Sequence, residues 1–263
     1  VYGIDGYIPA MNVEGAAYAS VIAQITMAVI SLFLLLKKTP VSLKISFTLH
    51  PEIPRLLNMV GNLFIRTIAL NVALYLATSY ATGYGKEYIA AYTISINIWL
   101  LGAFMIDGYS SAGNILSGKL LGAKEYKSLV ILSNKLFKYG IVIGTIIAIF
   151  GFIFYDAIGR IFTNEAIVLE QFYTVFWIVL ITQPINALTF IFDGMFKGMG
   201  EMKYLRNLLI WATGLVFIPT LLIFDFLGFK LTAIWIAFAC WIIARGLPLV
   251  YKFRKKFIPL SED

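Results

Sequence analysis

Cysteine and histidine occur once each, as Cys240 and His50, and only 13% of the 263 residues are charged. One cysteine excludes an intramolecular disulfide, and this pair alone excludes a Cys/His metal cluster. Cys240 lies in an apolar run and reads as a small buried hydrophobe rather than a reactive thiol. Soluble domains carry about 25% charged residues, so the scarcity of charge excludes an ordinary soluble fold. The chain has no Gly-rich phosphate loop, no Gly-x-Ser-x-Gly elbow and no His-Glu-x-x-His pair. No catalytic constellation, metal site or cofactor is therefore expected, and any transport would draw on a proton or sodium gradient.

What the chain does have is apolar residues, 60% of the total, with a mean hydropathy of +0.85. They come in runs near 20 residues, the length that crosses about 30 Å of hydrocarbon at 1.5 Å per residue. The pattern predicts an all-α membrane protein, a polytopic bundle of about seven spans at 14–36, 55–82, 88–116, 136–155, 166–195, 207–226 and 230–250. Gly83, Gly85, Gly122, Gly159, Gly198, Gly200 and Gly228 punctuate the links.

The basic residues support this map. Lys37, Lys38, Lys44, Arg55, Lys119, Lys124, Lys127, Lys135 and Lys138 fall on one side, together with Lys197, Lys203, Arg206, Lys252 and Arg254–Lys256. Lys86, Arg160 and Lys230 fall on the other. The positive-inside rule then puts the C-terminus in the cytoplasm and the N-terminal residues outside. The formal net charge of +7 reads as attraction to anionic lipid, not to nucleic acid. Residues 41–49, ahead of His50, are too short to span and are expected at the interface, with His50 a solvated link residue. An outside start at Val1 with no signal peptide predicts an excerpt of a longer polytopic protein.

A charge in the bilayer core costs a few kcal/mol, so buried ionic residues should face the bundle interior or water. Four stand out: Arg66, Asp107, Asp193 and Arg245. Arg66 is expected to line a central cavity, paired with an acidic group outside the chain; Asn62, one turn earlier, shares its face. Asp193 stands four residues before Lys197 and should pair with it. Asp107 is expected at mid-depth or in the cytoplasmic half. Arg245 is expected to snorkel toward the Lys252 end. Asn186 belongs to an uncharged polar set, and Pro184 should bend its span. Of the aromatics, Tyr75, Tyr92 and Trp99 are candidates to line an apolar cavity.

These residues carry a family resemblance. Ile65-Arg66-Thr67-Ile68-Ala69-Leu70, Asp107-Gly108 followed by Gly118-Lys119-Leu120-Leu121-Gly122-Ala123, Gln183-Pro184-Ile185-Asn186-Ala187 and Asp193-Gly194-Met195-Phe196-Lys197-Gly198-Met199-Gly200 are similar, in order and spacing, to the multidrug and toxic compound extrusion (MATE) transporters. The DinF-like branch is the best match, and residues 13–24 look like the start of its sixth helix.

The resemblance implies a twelve-helix, two-lobe antiporter. Residues 1–36 would be an external segment and the last helix of the N-terminal lobe, 37–54 a cytoplasmic link, 55–256 a six-helix C-terminal lobe and 257–263 a cytoplasmic tail. It implies alternating-access export of small organic, often cationic and amphipathic compounds in exchange for protons or sodium ions. The partners are the lipid bilayer and the N-terminal lobe, and the setting is a bacterial plasma membrane. Arg66 matches a cavity-facing arginine of the branch. A second branch places acidic cation ligands where Arg66 stands and near Asn186, and this chain departs at both. A lipid-linked oligosaccharide flippase of the same architecture would need a strongly cationic cavity, which only Arg66 and Arg245 could supply. An integral membrane transferase would need a His or acidic cluster, which a single His50 does not provide.

Overall fold

A computed structural model describes residues 12–38 and 51–261. The chain divides into two compact units, residues 1–53 and 54–263. The first contains helix α1 (Asn12–Lys38), whose stretch Ala17–Lys38 has a mean hydropathy of 2.3, enough to cross a membrane. The expected interfacial segment 41–49 and His50 lie outside the described residues.

The second unit is a helical bundle. Its helices are α2 (Ile53–Tyr84), α3 (Lys86–Gly122), α4 (Tyr126–Ile153), α5 (Tyr155–Phe162), α6 (Ala166–Ile181), α7 (Gln183–Gly198), α8 (Met202–Trp211), α9 (Ile218–Phe226) and α10 (Leu231–Phe257). Six described helices are long and apolar enough to cross a membrane, and the bent pair α6–α7 brings the number to seven. The span count read from hydropathy is thus met.

The expected boundaries need correction at the basic end. Helix α4 begins at Tyr126, ten residues before the expected span, so Lys127, Lys135 and Lys138 ride on its first turns rather than in a link. Lys203 and Arg206 likewise belong to α8, and Lys252 and Arg254–Lys256 to α10. Hydropathy windows stop where charge begins, but the backbone hydrogen bonds of a helix continue through long basic side chains, which lose little rotamer freedom there. Helix α5, a short amphipathic piece, was not foreseen. Its Asp156 and Arg160 pair at 2.7 Å, one turn apart.

Helix α7 is the central post, packed between α3, α4 and α10. Two interhelical hydrogen bonds lock α3 to it: Ser110 Oγ donates to the Phe190 carbonyl at 2.8 Å and Ser117 Oγ to the Met195 carbonyl at 3.0 Å. Small residues permit this closeness. A Cβ on Gly118 would lie 2.7 Å from the Gly198 carbonyl oxygen, the close approach that small-residue faces give membrane helices.

Between α6 and α7 the span bends by 51°. Pro184, in the first turn of α7, lacks an N–H and its ring crowds the carbonyl four residues back. Thr182 adds to the break by donating its hydroxyl to the Ile178 and Val179 carbonyls, both at 3.0 Å. Gly144 of α4 fits against the bend, where a Cβ would meet Pro184 Cα at 2.6 Å. Between α8 and α9 the helix widens into a π-helical stretch, Ala212–Phe217. Its Thr213 hydroxyl receives the Trp241 indole N–H at 3.0 Å.

At the basic end, Gly200 turns the chain with a left-handed φ of 77°, and the next residue, Glu201, gathers Lys252 and Lys256 of α10 at 3.0 and 2.8 Å. Burial alone would raise this carboxyl, but the two ammonium groups hold it below the ordinary carboxylate range. A depressed carboxyl contributes stability that is present above its unfolded value and lost as pH falls through the folded one. Acidification from pH 7 to about pH 3.5 should therefore loosen α10 in the wild type. In Glu201→Gln that component should be missing, narrowing the pH dependence of the melting temperature by an amount equivalent to about 0.5–1 kcal/mol. Identical melting curves across that range for the two proteins would refute the pin.

Candidate functional site

The polar cluster of the bundle is built on Asp193, five residues before the C-terminal end of the enclosed helix α7. Its carboxylate accepts two hydrogen bonds from Arg66 Nη2 of α2, at 2.7 and 2.8 Å. Lys197, one turn along α7, closes to 2.8 Å. Arg245 of α10 approaches to 3.8 Å. Asp193 is 5% exposed, Arg66 8% and Arg245 2%. One carboxylate thus serves three cations from three helices, leaving a formal surplus of two positive charges.

Within this chain Arg66 has an acidic partner, Asp193. One expectation is corrected here. Arg245 does not snorkel: it is buried, with its guanidinium 4.6 Å from the centroid of the Trp241 ring. The signal for its burial was present in the sequence. Trp241 lies one turn earlier on the same face, and Gly246 follows, where a Cβ would collide with the Thr189 hydroxyl of α7. The expected Asp193–Lys197 pair is present, but as one of three.

Beside Arg245, whose terminal nitrogens are buried, lies a cavity of about 260 Å³ lined by Leu70, Leu74, Trp99, Phe104, Asp107, Phe190 and Trp241. Asp107 is exposed on α3 and makes no hydrogen bond or ion pair among the described residues. Trp99 packs edge-on against Phe190 at 5.9 Å and stacks with Phe238 at 6.1 Å. Of the other aromatic candidates, Tyr92 is buried against Trp235. Tyr75 lines a separate groove on α2 with Phe64, Thr67 and Asn71.

Asn62 belongs to a different network. Its Nδ2 donates to the Asn58 carbonyl and side-chain oxygens at 2.7 and 2.6 Å, and its Oδ1 accepts from Arg206 Nη1 at 2.7 Å. With Arg55, Asn58 and Lys203 it lines a cavity of about 440 Å³ toward the basic end. Asn186 is buried three residues after Gln183, and the amide nitrogens and oxygens of both lack hydrogen-bond partners. Gln183 presses against Gly102 of α3, where a Cβ would lie 2.7 Å from its Oε1. The structure therefore brings Arg66 and Asp193 together with Arg245, sets Asp107 on the cavity that Arg245 lines, and keeps Asn62 in a separate network. Among the described residues no cluster of three or more His, Cys, Asp or Glu side chains could hold a metal.

A sequence profile of the MatE family matches residues 63–223. Among curated proteins, the chain is 28% identical over 250 residues to Protein DETOXIFICATION 45, chloroplastic, of Arabidopsis thaliana, covering 93% of this chain and 42% of that protein. It is 25% identical over 252 residues to DNA damage-inducible protein F of Escherichia coli (strain K12), covering 93% and 54%. The chain thus spans about half the length of these relatives. Among solved structures, an outward-facing multidrug resistance MATE family transporter of the MOP superfamily superposes with a TM-score of 0.81 at 19% identity, covering 95% of this chain and 57% of that one. At that identity the likeness concerns the fold.

Proposed function

Since the chain belongs to the MatE family, we propose that it forms one lobe, with an adjoining helix, of an ion-coupled antiporter that exports organic compounds by alternating access. The observation that carries this reading is the buried Arg66–Asp193–Arg245 centre beside an aromatic cavity inside apolar, membrane-length helices. Soluble folds do not need that arrangement, and membrane proteins keep such charges for transport pathways. The motive force is a proton or sodium gradient, and the basic end faces the cytoplasm. The proposed residence is a bacterial-type plasma membrane, although one relative carries the description chloroplastic. The flippase alternative is weaker, because Arg66 is committed to Asp193 and the terminal nitrogens of Arg245 are buried, so neither supplies an open cationic cavity.

Flux of an organic cation such as ethidium from proteoliposomes holding the full-length protein, under proton and sodium gradients imposed in turn, tests the reading. One gradient should drive export. Arg66→Ala should lower the rate by about tenfold, the scale of one lost charge-assisted contact, with expression largely intact because Asp193 keeps Lys197 and Arg245. Wild-type turnover in that variant removes Arg66 from the pathway, and flux indifferent to both gradients removes ion coupling.

A further inference from the structure

At the basic end of the bundle, a cavity of about 440 Å³ opens between the start of α2 and the start of α8. Arg55 of α2 and Lys203 of α8 both line it, and no carboxylate stands among its lining residues. Glu201, the acidic residue next to it in sequence, is committed to Lys252 and Lys256. Lys203 is exposed and makes no hydrogen bond or ion pair among the described residues. Neutral donors complete the wall. Asn58 spends its side-chain oxygen on Asn62 Nδ2 at 2.6 Å, which leaves its own NH2 group for another acceptor. Asn62 accepts from Arg206 at 2.7 Å, so a third cation stands behind the polar wall. Gly200 keeps the rim open, since a Cβ there would meet nothing within 4 Å. The first N–H groups of α8, at Met202 and Lys203, have no acceptor inside the helix. A concave surface of cations and amide donors, with no carboxylate, fits a phosphate group, whose oxygens accept in several directions.

Two further observations decide which phosphate. Arg55 and Lys203 each lie in the first turn of a membrane-length apolar stretch, Ile53–Tyr84 and Met202–Phe226. That is the depth at which lipid headgroups meet a spanning helix. Two turns beyond Lys203, the same face of α8 carries Ile210 and Trp211, 43% and 63% exposed. We propose that the cavity seats the headgroup of an anionic phospholipid, its phosphate held by Arg55, Lys203 and the Asn58 amide, with an acyl chain lying along Ile210 and Trp211. A choline headgroup suits the wall less well, because its ammonium brings one more cation to a surface that has no carboxylate to receive it. The ligand is a lipid at the rim of the bundle and not the cargo, so the proposal does not depend on the transporter reading.

Native mass spectrometry of the purified full-length protein, titrated in detergent with phosphatidylglycerol, phosphatidylcholine or glycerol 3-phosphate, tests the site. Phosphatidylglycerol should bind about tenfold more tightly than phosphatidylcholine. Glycerol 3-phosphate, which has no chain for the apolar face, should bind at least about tenfold more weakly than phosphatidylglycerol. Arg55→Gln and Lys203→Gln should each weaken phosphatidylglycerol about fivefold, the scale of one partly exposed ion pair. Together they should bring it within about twofold of phosphatidylcholine. Lys127→Gln removes a charge from α4 at the same end but outside the cavity, and should leave the preference within about twofold of wild type. Trp211→Ser should weaken both lipids but not glycerol 3-phosphate. All four substituted side chains are exposed, so the variants should fold, and an unchanged melting temperature verifies it. Equal binding of the two lipids, or equal losses in Lys127→Gln and Lys203→Gln, would reduce the site to diffuse attraction and overturn the proposal. Phosphatidylglycerol binding no tighter than glycerol 3-phosphate would overturn it in favour of a soluble anion. Any of these results alongside gradient-driven flux would leave the transporter reading standing.

Discussion

Asp193→Asn should destabilise the bundle more than removal of any one of its partners, by about 3–5 kcal/mol, the cost of stripping a buried ion cluster of its counter-charge. The asymmetry follows from the stoichiometry. Deleting Arg66 leaves the carboxylate with Lys197 at 2.8 Å and Arg245 at 3.8 Å. Deleting Asp193 leaves two buried guanidiniums and an ammonium facing one another with no anion. Lys197 is about one-third exposed and could turn outward, but Arg66 and Arg245 are enclosed. In a thermal-stability assay the melting point of Asp193→Asn should fall by roughly 10 °C, while Arg66→Gln should lose less than half as much. The two substitutions share partners, so the double variant should lose less than the sum of the singles. An Asp193→Asn protein that melts with the wild type would show that the three cations do not need their shared anion.

The second large effect is expected at the crossing of α3 and α7. A Cβ on Gly198 would enter the van der Waals surface of the Asn114 carbonyl oxygen, and one on Gly194 would meet the Ser110 carbonyl. Both obstacles are backbone, which cannot rotate away as a side-chain tip would. Gly198→Ala should therefore force the helices apart, weaken the Ser117–Met195 hydrogen bond at this crossing, and cost about 3 kcal/mol, the upper end of overpacking penalties. Gly108→Ala on the same helix α3 meets nothing within 4 Å and should leave the melting point within about 2 °C, since no contact has to yield. Equal stability of the two alanine variants would refute the close approach.

These two sites differ in how far the sequence discloses them. Arg66, Asp193 and Pro184 announce themselves because a charge or a proline in an apolar run is costly and conspicuous. Span number and the clustering of basic residues are likewise one-dimensional properties. The pairing of Arg66 with Asp193 is not, because 127 residues separate them and only the fold, which brings the two side chains within reach, decides who meets whom. Lys252, seven residues on, makes Arg245 look able to snorkel, whereas Trp241 and Gly246 point the same stretch of α10 inward. Hydropathy does not disclose the helix starts at Tyr126 and Met202, because it marks where lipid begins rather than where hydrogen bonding begins. The unbonded amides of Gln183 and Asn186 are invisible without coordinates, since polar residues near a proline could as easily have bonded its freed carbonyls.

The break at Thr182 puts an elbow in the bundle. Helix α6, with 16 residues, is about 24 Å long, so each 10° added to or taken from the 51° kink sweeps its far end through about 4 Å, the arc such a length subtends. Helix α7 on the other side is anchored to α2, α3 and α10 by salt bridges and serine-to-carbonyl hydrogen bonds, whereas the hydrogen bonds of Tyr173 tie α6 to the short helix α5. Gly102 and Gly144 let α3 and α4 press close against Gln183 and Pro184 at this elbow. Post and arm are thus spliced into one transmembrane crossing, and a small angular change at its elbow would become a displacement comparable to the width of a side chain at the membrane surface.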